Sequence, residues 1–168
     1  MLFRFFFIFL LLAVALLLQS AVLPYLKLGE VRPNLILIIV IFVCLTASWQ
    51  KSFAAALLAG VLLDVFSGWP FGIFSLSLLL ISFVFNTAKI YFFGRFNFSV
   101  FALAIFAGTI LYDIEVIFLM KIMRWFSLTD LSVSFKGLFF LIPKEILYDL
   151  IVIGFFYLLW KGLITISK

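Results

Sequence analysis

The amino-acid sequence predicts an all-α membrane protein, a polytopic bundle of about six transmembrane helices. Of its 168 residues, 68% are hydrophobic and only 11% are charged, and the mean hydropathy is +1.41. No soluble domain has this composition. Apolar runs recur along the chain, and a helix that rises about 1.5 Å per residue needs roughly 20 such residues to cross the hydrocarbon.

The apolar segments fill the chain and predict a single integral membrane domain over residues 1–168. The predicted spans are residues 5–23, 34–49, 53–66, 71–93, 98–120 and 137–160. The first follows Arg4 as a secretory signal would, but it is long and lacks a small-x-small cleavage site near residues 19–22, so we interpret it as a helix. The third is short and pairs with the second in a tight hairpin through Gln50 and Lys51, which leaves five or six crossings.

The basic residues do not orient the protein, although the net charge is +5. Lys and Arg divide evenly between the two predicted sides, so the positive-inside rule gives no answer. All the acids fall on one side, which we take as extracytoplasmic, with the N- and C-termini in the cytoplasm. These acids are Glu30, Asp64, Asp113, Glu115, Asp130, Glu145 and Asp149.

Much enzyme chemistry is excluded because the chain has no histidine and one cysteine, Cys44. Catalytic triads that use histidine and imidazole zinc sites are ruled out, and no intrachain disulfide is possible. Our prediction assigns no catalytic residue, metal, cofactor or nucleic-acid partner to the chain. Paired carboxylates could in principle serve an intramembrane enzyme. The sequence shows no lipid-transferase or protease motif, so we favour other functions over this one.

Residues 57–72, LLAGVLLDVFSGWPFG, place an ionisable carboxylate at the end of an apolar run. A charged side chain in hydrocarbon is costly, so Asp64 is expected to face the bundle interior, a pore or a partner. The structural alternative is that Asp64 caps the turn at Ser67 and Gly68.

Polar side chains from three predicted spans reach the same end of the bundle. The candidates for a partner or pocket site are Asp64, Gly68, Pro70, Gly72, Tyr112, Asp113, Glu115, Lys144, Glu145, Tyr148 and Asp149. Glu145 and Asp149, spaced i, i+4, share a helix face and repel unless one is protonated or binds a cation. Lys144, Lys121 and Arg124 are the nearby candidates for counter-charges. A partner is implied, either within the chain or from outside it.

A second interpretation places these acids at the membrane interface, without a pocket. Glu115 and Glu145 are long enough to reach water by snorkelling. Asp113 and Asp149 are too short for that, so we expect them to be buried in the bundle.

The last two spans carry a similar octapeptide. The sequence ILYDIEVI from Ile110 and the sequence ILYDLIVI from Ile146 agree at six of eight positions. The shared Tyr-Asp pair puts a phenol beside a carboxylate on two neighbouring helices. A true duplication would be a feature of transporters, but the rest of the two helices does not match.

Two other helix faces are predicted to pack against helices of this chain or of another protein. Ala55 with Ala59 and Ala56 with Gly60 are small-xxx-small pairs, which allow close helix approach. Ser75, Ser82 and Asn86 form a weakly polar face on the fourth span, suited to hydrogen bonds with a neighbouring helix.

Several landmarks occur in an order that resembles the bacterial rod shape-determining protein MreD. They are Leu18-Gln19-Ser20, Arg32-Pro33-Asn34-Leu35, Ala59-Gly60, Leu62-Leu63-Asp64, Ser67-Gly68, Pro70, Gly72, Pro143 and Leu147-Tyr148. The match is specific over residues 57–72 and loose over most of the rest. Asp149 departs from it, because the family pattern would place an Asn there.

The resemblance implies a non-enzymatic scaffold of the elongasome, the cell-shape and peptidoglycan synthesis machinery of the bacterial inner membrane. Its implied partner is MreC, and through MreC it would connect to MreB, RodA and a cell-wall transpeptidase. The lipid bilayer and a second copy of the chain are further expected partners.

MreD-like proteins also look like the substrate-binding subunits of energy-coupling-factor transporters, which are six-helix bundles with an extracytoplasmic pocket. The alternative function is therefore capture of a vitamin or ion for such a transporter, with Tyr112, Asp113, Tyr148 and Asp149 lining the site.

Overall fold

The described part of the chain is helical throughout its regular structure. The computed structural model describes residues 10, 12–22, 33–91, 98–126 and 143–154. Its helices are α1 (residues 12–22, of which Leu18–Val22 is π-helical), α2 (Leu35–Thr46), α3 (Trp49–Ser67), α4 (Ile73–Tyr91), α5 (Phe98–Trp125) and α6 (143–154). The predicted all-α class is therefore confirmed. Predicted positions at Glu30, Asp130 and both chain termini lie outside the described residues.

Three helices, α3, α4 and α5, are long and apolar enough to cross a membrane. The other described helices are shorter, and α2 has only 12 residues. A helix of that length extends about 18 Å, which is less than the hydrocarbon thickness of about 30 Å. In a bilayer α2 cannot reach both surfaces, so its ends need partners supplied by the protein.

The predicted turn at Gln50 and Lys51 is wrong, because both residues lie in the first turn of α3. The chain turns earlier, at Ala47 and Ser48. The Ala47 N–H donates to the carbonyl of Val43 at 2.8 Å and closes α2. Hydropathy cannot locate such a boundary, since polar residues at a membrane surface are compatible with either a loop or a helix end.

Helix α2 forms the centre of the core. Over half of it is buried, and it packs against α3, α4 and α5. The buried residues of α2 are Ile36, Leu37, Val40, Ile41, Val43, Cys44 and Leu45. Leu12 from α1, Ile81 from α4, Ile105 from α5 and Ile153 from α6 belong to the same apolar cluster. This cluster joins side chains of all six described helices around α2.

The small residues of α3 act inside the chain. Ala55, Ala56 and Ala59 are buried, and α3 packs most extensively on α4. At Gly60 the two backbones approach so closely that an added Cβ would lie 2.3 Å from the Cα of Ser75. The α3–α4 hairpin therefore requires glycine at this position, because a contact with backbone cannot be relieved by a rotamer change.

The polar face of α4 also points inward. Ser75, Ser82 and Asn86 are buried. The Asn86 Nδ2 donates to the Ser82 carbonyl at 2.8 Å, and the Cys44 thiol of α2 lies 3.5 Å from the Ser82 hydroxyl. The polar side chains of Cys44, Ser82 and Asn86 thus find hydrogen-bond partners where α2 packs on α4, as polar groups in a membrane helix interface must.

Candidate functional site

Asp64 caps the first turn of α4. Its Oδ1 accepts the backbone N–H of Phe74 at 2.9 Å, and its Oδ2 accepts the N–H of Ser75 at 3.1 Å and the Ser75 hydroxyl. The side chain is only 4% exposed. A carboxylate at a helix N-terminus satisfies N–H groups that lack intrahelical partners and interacts favourably with the helix dipole. The costly buried charge of Asp64 therefore has a structural explanation.

The turn that precedes α4 explains why the cap comes from another helix. Gly72 accepts the N–H of Leu76 through its carbonyl at 3.0 Å, the position of a capping residue, but glycine has no side chain to offer. Gly68 and Gly72 have φ of 71° and 101°, values that favour glycine. With Pro70 between them, they return the chain so that α4 begins beside Asp64.

The structural role predicted for Asp64, a cap on the turn at Ser67 and Gly68, is wrong in its location. The turn after α3 is held by Ser67, whose hydroxyl accepts the N–H of Trp69 at 3.2 Å. Asp64 contacts the start of the next helix and not that turn.

Asp149 plays the matching role at the start of α2. It is fully buried, and its Oδ1 accepts the N–H of Asn34 at 2.9 Å. Asn34 in turn accepts the N–H of Leu37 through Oδ1 at 3.1 Å, and the Gln19 Oε1 of α1 lies 3.4 Å from the N–H of Ile36. The start of α2 is therefore capped by its own Asn34 and by side chains of α1 and α6, as an end within the bundle requires.

Thr109 completes the bonding of Asp149. The Thr109 hydroxyl lies 3.1 Å from Oδ2 of Asp149 and 3.0 Å from the carbonyl of Ile105, so its single proton is shared between two acceptors. Both carboxylate oxygens of Asp149 thus face a donor. The sequence interpretation did not assign Gln19, Asn34 or Thr109 to the site, although each is an isolated polar residue in an apolar segment.

The opposite end of α2 is capped by a cation. The Lys89 ammonium of α4 donates to the carbonyl of Ala47 at 2.9 Å and lies 3.5 Å from that of Cys44. A cation at a helix C-terminus interacts favourably with the dipole. Helix α2 therefore has an aspartate at its N-terminal end and a lysine at its C-terminal end, both from other helices.

Asp113 and Glu115 contrast with these capping acids. Asp113 is 9% exposed, and its Oδ2 is buried without a hydrogen-bond partner, as is the Oε2 of Glu115. Two residues apart, they point about 160° away from each other around α5. Asp113 lies on the side of Thr109 and interacts electrostatically with Asp149, whereas Glu115 lies on another side of α5.

Two further predicted residues, Glu145 and Tyr112, lie near Asp113. Glu145 is half-buried and lies close enough to Asp113 and Asp149 to interact with both. Tyr112 is buried beside Asn34 and within electrostatic range of Asp64, Asp113 and Glu145. The structure therefore brings the acids of α3, α5 and α6 to one end of the bundle.

Two of the three basic residues that were predicted to neutralise the acids, Lys144 and Arg124, do not pair with them. Lys144 and Arg124 are exposed and form no ion pair with any residue that the structure describes. Tyr148 is half-buried on α6. Within residues 10–22, 33–91, 98–126 and 143–154, no group of three Asp, Glu, Cys or His side chains is arranged to hold a metal ion.

No family model, curated protein or solved structure matches the sequence. The function is inferred from the residues above.

Proposed function

We propose that this chain is a non-enzymatic scaffold of the bacterial cell-wall elongation complex, of the MreD type. It would bind MreC in the inner membrane and connect it with MreB, RodA and a cell-wall transpeptidase. The observation that supports the proposal most strongly is that residues which carry the family resemblance form hydrogen bonds between or within the helices of the bundle. Gln19, Asn34 and Asp64, which carry the resemblance, all hold helix starts in place within the bundle.

A scaffold of this kind needs a rigid body with outward apolar faces. Helices α3 and α4 are fixed to each other through Gly60 and Asp64. Their outer sides expose large apolar residues, as does α5, so the bundle offers helix faces both to lipid and to a partner helix. Those of α3 are Leu57, Leu58, Val61, Val65 and Phe66, and those of α5 include Leu103, Phe106, Ile114 and Phe118.

Affinity purification from native membranes tests the proposal. The tagged chain, extracted in a mild detergent, is expected to recover MreC, a single-pass protein with a large extracytoplasmic domain. Recovery of transporter ATPases in its place would overturn the scaffold function. A tagged unrelated six-helix protein of the same membrane controls for capture of abundant proteins.

The competing function is the substrate-binding subunit of an energy-coupling-factor transporter. One observation favours it: Asp113 has a buried oxygen available to a ligand. Another weighs against it, because both oxygens of Asp149 already face donors from Asn34 and Thr109. Specific binding of one compound from a labelled vitamin panel, lost in Asp113→Asn, would establish this function.

The proposed orientation places the Asp64 end of the bundle outside the cytoplasm and both termini inside. Single cysteines at Trp69 and Gln50, introduced into a Cys44→Ala background, report on the two ends. We expect an impermeant thiol reagent to label Trp69→Cys in intact spheroplasts, whereas Gln50→Cys reacts only after permeabilisation. The reverse pattern would invert the topology, and labelling of both from one side would contradict the arrangement of α3.

A further inference from the structure

Asp113 is a buried carboxylate with an unused acceptor oxygen, and it lies near Glu145 and Asp149. Asp64 and Asp149 each face hydrogen-bond donors through both oxygens, and Lys89 has two carbonyl acceptors. Asp113 Oδ2 accepts no hydrogen bond from the described residues, although Asp113 is about nine-tenths buried. An unpaired buried oxygen of this kind costs stability, and a ligand that donates a hydrogen bond to it would recover that cost.

The surroundings of Asp113 select for positive charge. Glu145 and Asp149 are close enough to Asp113 to interact with it electrostatically. Neighbouring carboxylates repel one another, and a cation between them relieves that repulsion. Lys144, the basic residue nearest in sequence to Glu145, is exposed and forms no ion pair within the described part of the chain.

The geometry disfavours a metal ion. No three acidic side chains of the described residues are arranged as ligands for one, and Asp149 already uses both oxygens. An ammonium or guanidinium group requires fewer ligands at fixed distances, and guanidinium pairs with carboxylates through two parallel hydrogen bonds. The bundle already holds a partly buried ammonium at the other end of α2, where Lys89 donates to the carbonyl of Ala47.

We propose that Asp113 and Glu145 form a binding site for an ammonium or guanidinium group, which enters from the membrane face where α6 begins. The group belongs either to a basic side chain of the scaffold's partner or to a small organic cation. Only the first of these sources rests on the proposed function. The second would hold for an isolated subunit.

A matched pair of small probes tests the site directly. Ethylguanidinium and its uncharged analogue ethylurea are added to the purified protein in detergent, and the thermal unfolding midpoint is measured. At about five times its Kd, ethylguanidinium is expected to raise the midpoint by about 2–4 °C, whereas ethylurea does not. Asp113→Asn and Glu145→Gln should each abolish the rise.

Glu115→Gln is the matched control, because Glu115 also has an unpartnered buried oxygen but points to another side of α5. This variant should retain the response to ethylguanidinium. An equal response to both probes, loss of the response in Glu115→Gln alone, or a rise with Ca²⁺ or Mn²⁺ only would overturn the proposal. A response that survives in Asp113→Asn would also overturn it.

Partner purification with the same variants separates the two sources. If Asp113→Asn loses the partner while Glu115→Gln keeps it, the cation is a side chain of that partner. If the probe response is present and both variants keep the partner, the cation is a small molecule. If the parent chain recovers no partner, the proposed function fails, while the probe measurement still decides the cation site.

Discussion

Asp64 and Asp113 are aspartates in apolar helices at the same end of the bundle, yet their surroundings differ. The Asp64 carboxylate accepts two backbone N–H groups and a hydroxyl of α4. Asp113 Oδ2 accepts nothing and lies near two further acids. A carboxylate that meets a helix start stabilises the fold, whereas one that meets other carboxylates destabilises it. The comparison teaches that an acid in a membrane segment indicates function only after its donors have been identified.

Substitution at Gly60 should have the largest effect, because it removes the contact that brings Asp64 to α4. The Cβ of Gly60→Ala would meet the Ser75 backbone at 2.3 Å, so the helices must separate. We expect a loss of about 3 kcal/mol or more in the free energy of unfolding, measured by thermal or SDS-induced unfolding in detergent micelles.

Gly154→Ala is the control for that experiment. An added Cβ at Gly154 meets no atom within 4 Å, and alanine favours helix by about 1 kcal/mol over glycine. This variant should be neutral or slightly more stable. Equal losses from the two alanine variants would show that the approach of α3 to α4 does not determine stability.

Asp64→Leu should have the next largest effect, since it leaves the N–H groups of Phe74 and Ser75 without an acceptor in the bundle. We expect a loss of about 2–3 kcal/mol in unfolding free energy. Asp64→Asn keeps one acceptor oxygen and should lose about half as much. If both variants unfold like the parent chain while partner recovery falls, Asp64 acts in the complex and not as a cap.

Asp149→Asn should be tolerated better than either change at Asp64. Its remaining carbonyl oxygen can accept the N–H of Asn34, and its new amide can donate to the Thr109 hydroxyl. We expect a loss of about 1 kcal/mol or less, against about 3 kcal/mol for Asp149→Leu. An Asn variant as unstable as the Leu variant would mean that the negative charge itself holds the start of α2.

Asp113→Asn should change the free energy of unfolding least. Unlike the Asp64 and Asp149 variants, it should increase stability. Removing a buried charge with no bonded partner is expected to stabilise the isolated subunit by up to about 1 kcal/mol. Unfolding of Asp113→Asn and Asp64→Asn under identical conditions measures the contrast directly. A loss at Asp113 equal to that at Asp64 would remove the distinction between the two aspartates.

The fold class followed from composition, whereas the roles of the acids required the tertiary structure. Hydropathy predicted helices in every described segment, because a chain this apolar can bury its backbone only in helices. It placed Gln50 and Lys51 in the turn before the third span, whereas both lie in α3, because their polarity does not distinguish a helix end from a loop. The different directions of Asp113 and Glu115 follow from helix geometry alone, so they could have been predicted from the sequence.

The caps supplied by neighbouring helices were beyond sequence analysis. Gln19 and the amide of Ile36 are 17 residues apart, and Asn34 and Asp149 are 115 apart, so no local pattern connects them. The sequence could show that Asp64 needed a partner, but not that the partner was the first turn of α4. Capping signatures describe a residue beside its own helix, and here the donor and acceptor belong to different helices.

The short length of α2 has a consequence for biogenesis. Its ends depend on Asp149, which is synthesised more than 100 residues later, and on Lys89. A translocon that released α2 into lipid alone would expose two unsatisfied helix termini to the acyl chains. In a membrane, α2 would therefore have to remain sheltered, by the insertion machinery or by α1 and α3, until α6 is synthesised. The order of synthesis leaves the start of α2 without the Asp149 acceptor until that point.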